Sequence, residues 1–133
     1  MTHTDFDLAV HEAVSEALAL EDGELTADAT LTDDLGAESI DLLDMLFRIE
    51  RGTGVKIHAA DLAEHIQGGL PDEEFGDDAG VVTAAGLAHL ATVMPQIDVA
   101  ALEGSLEAER VIDLFTVQNL VDLVVARAAV AAT

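Results

Sequence analysis

No cysteine occurs among the 133 residues. That excludes disulfides and thiolate metal sites, and it fits a reducing cytoplasm as the setting. There is no Trp or Tyr and there are only four Phe, so any core must be aliphatic. Basic residues are scarce: five Lys and Arg stand against 27 Asp and Glu, a formal charge of −22. Such a surface repels nucleic acid and anionic membrane. It attracts partners with basic patches, in fast and salt-sensitive encounters. No apolar run is long enough to span a membrane, because the longest, "LVDLVVARAAVAAT", is broken by Asp122 and Arg127. The opening "MTHTDFDLAVHEAV" lacks the basic start of a signal peptide.

What is present is apolar and helix-forming. Half of the residues are hydrophobic, and Ala, Leu and Val outweigh β-branched runs in most windows. The expectation is an all-α monomer with one domain, residues 1–133. Thr4 is placed to cap a first helix from about Asp5 to Leu20, with Phe6, Val10, Val14 and Leu18 facing the core. A long acidic connection follows, pinned by Leu25, Leu31 and Leu35. Thr83, Asp98 and Thr116 are caps for helices over 84–94, 99–103 and 117–130, and residues 67–80 read as a loop.

"LGAESIDLLDMLFRIE" holds the sharpest pattern. In a helix from about Ser39 to Arg51, Leu42, Met45, Leu46 and Ile49 make one face. Ile40, Leu43 and Phe47 make a second apolar row. Asp41, Asp44, Arg48 and Arg51 fill most of the rest. An arc this wide is either wholly buried or leaves apolar side chains out for a partner, and the flanking acids favour docking. Ser39 stands alone at the helix mouth. It is either an N-cap satisfying an orphan amide or the bearer of a phosphate that the helix N-terminus stabilises.

This segment resembles the modification site of acyl carrier proteins, whose pattern is Leu-Gly, then Asp-Ser-Leu, then an amphipathic helix with exposed acids. Leu35, Gly36, Ser39, Asp41, Leu43, Asp44 and Glu50 match it by position and type. "FTVQNLVDLV", Phe115 to Val124, resembles the opening of the family's last helix. The resemblance implies a four-helix carrier bundle with 4′-phosphopantetheine on Ser39, added from coenzyme A by a phosphopantetheinyl transferase. The arm's thiol would hold an acyl chain as a thioester for fatty-acid or polyketide-like synthesis. The carrier itself would catalyse nothing. Glu38, Ile40, Asp41, Leu43, Asp44, Phe47, Arg48 and Arg51 would meet acyl-transferring and chain-elongating enzymes. Glu38 departs from the family's Asp, and Ile40 from its Leu.

The chain is longer than an ordinary carrier. Residues 61–109, between the second helix and the last, read as an inserted segment too apolar for a linker. It serves as extra core, as a lid or enlarged cavity for the acyl chain, or as a selectivity surface. The rival reading of the whole is an unmodified acidic adaptor or secretion-chaperone-like protein. His58, Asp61, Glu64 and His65 have a loose metal-ligand spacing that better suits a solvated face, so no metal is expected. The acidic stretch from Asp22 to Asp34 lacks the Gly and terminal Glu of an EF-hand loop.

Overall fold

The computed structural model describes residues 2–21 and 23–131. Its elements are α1 (His3–Leu18), α2 (Ser39–Thr53), α3 (Ala59–Gln67), α4 (Asp72–Phe75), α5 (Ala84–Val93), α6 (Val99–Leu102), a 3₁₀ helix (Ala108–Leu114) and α7 (Val117–Ala131). β-structure among the described residues is confined to isolated bridges, such as Thr30 with Thr116. The fold is all-α, as its composition implies. Asp22, at the head of the acidic stretch weighed for calcium, lies outside the described residues.

The first helix starts earlier than expected. Thr2, not Thr4, is its cap: the Asp5 amide donates to Thr2 Oγ1 at 3.2 Å, and the Thr2 amide donates to Asp5 Oδ2 at 2.9 Å. Both threonines stand three residues before an aspartate, so the sequence offers two capping boxes. The outer one gains extra helical hydrogen bonds. The helix ends at Leu18 because Ala19 turns left-handed, with φ 53°. Leu20 then packs back on the core.

Val10 and Val14 of α1 meet Met45, Leu46 and Ile49 of α2 in the same buried cluster. Leu42, expected on that face, is only half-buried. α1 packs on α2 and on α7. The α1–α2 connection is stitched to the start of α7. Leu31 N donates to the Phe115 carbonyl at 3.0 Å, Val117 N to the Ala29 carbonyl at 3.0 Å, and Gln118 N to the Ala27 carbonyl at 2.8 Å. With Leu31 and Phe115 fully buried, this seam holds the chain where α2 begins.

The downstream stretch shares that core. Phe75, Val82, Leu87, Leu90 and Met94 belong to the same buried cluster as the α1 and α2 residues. Residues 67–80 are not wholly loop: α4 interrupts them, because Phe75 is drawn into the core. The 3₁₀ helix was likewise not foreseen. It buries Val111, with Ile112 packed beside it, and its short irregular run carries no 3.6-residue apolar period. Thr83 and Asp98 cap α5 and α6, accepting from Gly86 N at 3.1 Å and Ala101 N at 3.2 Å.

α4 and α5 meet at a glycine. A Cβ at Gly86 would lie 2.6 Å from the Phe75 carbonyl oxygen and 2.7 Å from Val82 Cγ1. Gly86→Ala gains helix propensity, about 1 kcal/mol, but it drives a methyl into backbone. Overpacking of this kind costs about 1–3 kcal/mol and wins when the obstacle is a carbonyl rather than a flexible side chain. The urea midpoint is expected to fall with the m-value unchanged. A midpoint that stays put or rises counts against this tight approach.

Candidate functional site

α2 opens after an extended residue. Glu38, with φ −100° and ψ 173°, is the N-cap, and Ser39 is the first helical residue. The N-cap reading of Ser39 is therefore corrected by one position. The reason is Asp41, whose Oδ2 accepts the Glu38 amide at 2.9 Å and so fixes the helix start one residue earlier. Ser39 is exposed, and its hydroxyl makes no hydrogen bond among the described residues.

The two faces of α2 separate cleanly. Met45 and Ile49 are fully buried, whereas Ile40, Leu43 and Phe47 are 71%, 55% and 57% exposed. Large apolar side chains left this open along one row are unusual for a helix that otherwise packs well. Ile40, beside Ser39, begins the row, which rises one helical turn at a time to Phe47.

Charges frame the row. Arg48 donates from Nε to Asp44 Oδ1 at 3.1 Å and from Nη1 to Glu16 Oε2 at 2.9 Å. It thus ties α2 to α1. The Asp44 hydrogen bond, more than Glu16, pushes Arg48 up from its ordinary value. The Arg51 guanidinium carbon lies 5.8 Å from the centre of the Phe47 ring, within cation–π range. Glu38 and Arg51 are exposed, and Asp41 and Asp44 are half-exposed.

The residues weighed for metal do not assemble. His58 is the exposed N-cap of α3, and its amide donates to Asp61 Oδ2 at 2.8 Å. Asp61 also faces Arg127 at 3.8 Å. Among the described residues no group of three or more His, Asp or Glu is placed to hold a metal ion.

Residues 9–66 match the family model described as "Phosphopantetheine attachment site". The chain is 43% identical over 53 residues to an acyl carrier protein of Thermotoga maritima, a match covering 40% of this chain and 65% of that protein. It is 36% identical over 62 residues to an acyl carrier protein of Petrotoga mobilis, covering 47% of this chain and 73% of that protein. The chain belongs to the acyl carrier protein family. It is also 30% identical over 67 residues to Acyl carrier protein AcpXL of Brucella melitensis biotype 1, covering 50% of this chain and 72% of that protein. No solved structure matches the chain. Membership brings covalent 4′-phosphopantetheine as the prosthetic group. The family match spans both Ser39 and the exposed row and stops at residue 66. Among the described residues, no helix is long and apolar enough to cross a membrane.

Sequence reasoning found the row and the serine but missed Asn119. This residue is 1% exposed and ties α7 to the end of α5. Its Oδ1 accepts from Thr116 N at 2.9 Å and Gln96 Nε2 at 2.7 Å, and its Nδ2 donates to the Val93 carbonyl at 3.2 Å. The spacing Thr116-x-x-Asn119 was the available signal, since it places a polar side chain where a capping box needs one.

Proposed function

We propose that Ser39 is the attachment point of 4′-phosphopantetheine and that the protein carries acyl intermediates of fatty-acid or polyketide-like synthesis. The carrying observation is an exposed, unengaged hydroxyl on the first residue of α2, inside the matched segment. The other serines suit the role less well. Ser15 is half-buried within α1, and the Ser105 hydroxyl is within hydrogen-bond distance of the Ala101 and Leu102 carbonyls at 3.3 and 3.2 Å. A phosphodiester at Ser39 would sit at the first turn of α2, where backbone amides and the helix dipole favour negative charge. When bound, the arm supplies the thiol that holds the acyl group as a thioester. With no cysteine in the chain, that thiol has no protein thiol to pair with. The protein acts as a carrier and not as a catalyst.

The test is intact-protein mass after incubation with coenzyme A and a broad-specificity phosphopantetheinyl transferase. A gain of one phosphopantetheine is expected. No gain with several transferases would leave the unmodified adaptor.

The α2 row is the docking surface for the transferase and for acyl-handling enzymes. Glu38, Asp41 and Asp44 offer carboxylates to a basic patch beside Ser39, and Ile40, Leu43 and Phe47 offer greasy contact. Arg48 stiffens the helix against α1. Arg51 has no carboxylate within 4.0 Å among the described residues, so it is open to an acid on the partner. Ser39 and Arg51 are about 18 Å apart along the helix axis, at 1.5 Å per residue. Leu43→Ala with Phe47→Ala should leave stability within about 0.5 kcal/mol, as surface changes usually do. It should lower the transferase kcat/KM about tenfold, equivalent to about 1.4 kcal/mol of contact. An unchanged kcat/KM would remove the row from docking.

Residues 61–109 we read as an insertion in the carrier bundle. An open groove of about 420 Å³ between α3, α4 and the 3₁₀ helix, lined in part by Ile66, Phe75, Val111 and Ile112, supports the cavity reading of that stretch.

A further inference from the structure

Away from Ser39, α3, α5 and α7 meet at a seam built around two histidines. His89 of α5 lies against Gly68, which closes α3 with a left-handed φ of 68°. The fit is close enough that a Cβ at Gly68 would fall 2.3 Å from the His89 ring. Nε2 of that ring is 2.9 Å from the His65 carbonyl oxygen. A carbonyl only accepts, so the ring donates. That carbonyl is in the last turn of α3 and lacks a helical partner. His89 therefore caps one helix from another.

The His65 ring itself has no such partner. Its Nε2 is buried without a hydrogen bond among the described residues. Five other charged or titratable groups line the adjoining groove or act on the ring. Asp61 and Glu64 come from its own helix, His89 from α5, and Asp122 and Arg127 from α7. Two of the carboxylates are partly engaged elsewhere, since Asp61 faces Arg127 at 3.8 Å and Asp122 accepts from Gln118 at 3.0 Å. Beside the rings is an open groove of about 360 Å³.

We propose that this seam is a proton-operated latch: proton uptake at His65 loosens α5 from α3 while α1, α2 and the Ser39 end of the bundle stay packed. The neutral ring fits a site that offers Nε2 no acceptor. The charged ring carries an N–H there with nothing to receive it, next to a second imidazole. Burial first, and the neighbouring His89 second, push His65 below the ordinary histidine value, with Asp122 pulling weakly the other way. The sign follows. Above about pH 6.5 the ring is neutral both folded and unfolded, and the seam's stability is fully present. As pH falls from there toward the lower folded value, the open form takes the proton more readily, and the closed seam loses stability. The loosening falls on the α3 side of α5, whose main helix contacts run to α3, α4 and α6; its far end stays tied to α7 through Asn119 and the Val93 carbonyl, and α1 and α2 lean on each other.

Amide hydrogen exchange on the full chain tests the latch at about pH 7.5 and about pH 5.5, either side of the ordinary histidine value. Rates are corrected for the intrinsic pH dependence of exchange. Protection of α5 and of the last turn of α3 should fall several-fold at the lower pH, while protection of α1 holds. In His65→Leu, the loss in α5 should vanish. Should that variant fail to fold, titration of the His65 ring by NMR in the unaltered protein decides instead, and a midpoint clearly below that of an unstructured histidine is expected. A loss spread evenly over the chain, the same loss in His65→Leu, or a His65 ring titrating at or above the ordinary value would overturn the latch.

Discussion

Ser39→Ala is expected to abolish phosphopantetheine transfer completely while leaving the fold as stable as before. The two halves of that result come from different features. Transfer stops because the acceptor oxygen is gone, and neither Ser15 nor Ser105 stands exposed at a helix start. Stability holds because the Ser39 hydroxyl makes no hydrogen bond among the described residues, and the cap position belongs to Glu38. Had Ser39 been the cap, its removal would cost about 1 kcal/mol. Intact mass after treatment with coenzyme A and transferase reads the first half, and a urea titration reads the second. A variant that still gains the arm would move the site elsewhere. A variant that loses about 1 kcal/mol would return the serine to a capping role.

The largest loss of stability short of deleting core is expected at Asn119. Asn119→Ala removes the acceptor for the buried Thr116 amide and the donor to the Val93 carbonyl. It also removes the two bonds that the amide group of Gln96 exchanges with Asn119, although Gln96 is exposed and keeps the Leu114 carbonyl. A buried polar group left without a partner costs about 1–3 kcal/mol. With more than one stranded, and Gln96 free to turn toward water, the total is about 2–4 kcal/mol. Asn119→Asp keeps the acceptor but sets a carboxylate oxygen against the Val93 carbonyl, so it should fare little better. Urea denaturation measures both. A loss under about 1 kcal/mol for Asn119→Ala would mean that the knot bears little of the contact between α5 and α7.

How far the site could be read in advance depends on the range of the forces involved. α2 was readable in detail: a 3.6-residue period alone separates Met45, Leu46 and Ile49 from Ile40, Leu43 and Phe47. Leu42 sits at the border of the two faces, and only packing against α1 and its neighbours leaves it half-buried. The start of α2 is ambiguous by one residue: Ser39 is the better cap type, but Asp41 stands three residues after Glu38 and takes its amide. The same ambiguity, two threonines each followed by an aspartate at the third position, displaced the start of α1. α4 and the 3₁₀ helix are too short for periodicity to register, and they exist because Phe75 and Val111 have a core to enter.

Composition and local spacing by themselves determined that this protein is helical and acidic, free of thiols, and equipped with one helix that starts at a lone serine and carries two apolar rows; the carrier reading came from the resemblance of that segment to acyl carrier proteins. Those properties depend on neighbours within a turn or two, which any reader of the chain can count. Tertiary structure alone decided that the row stays in solvent, that Asn119 locks α7 to α5, and that His65 and His89 meet across 24 positions. Each of these depends on burial and on contacts between distant segments, whose strength is set by the water they exclude, and that is undefined until the helices are packed.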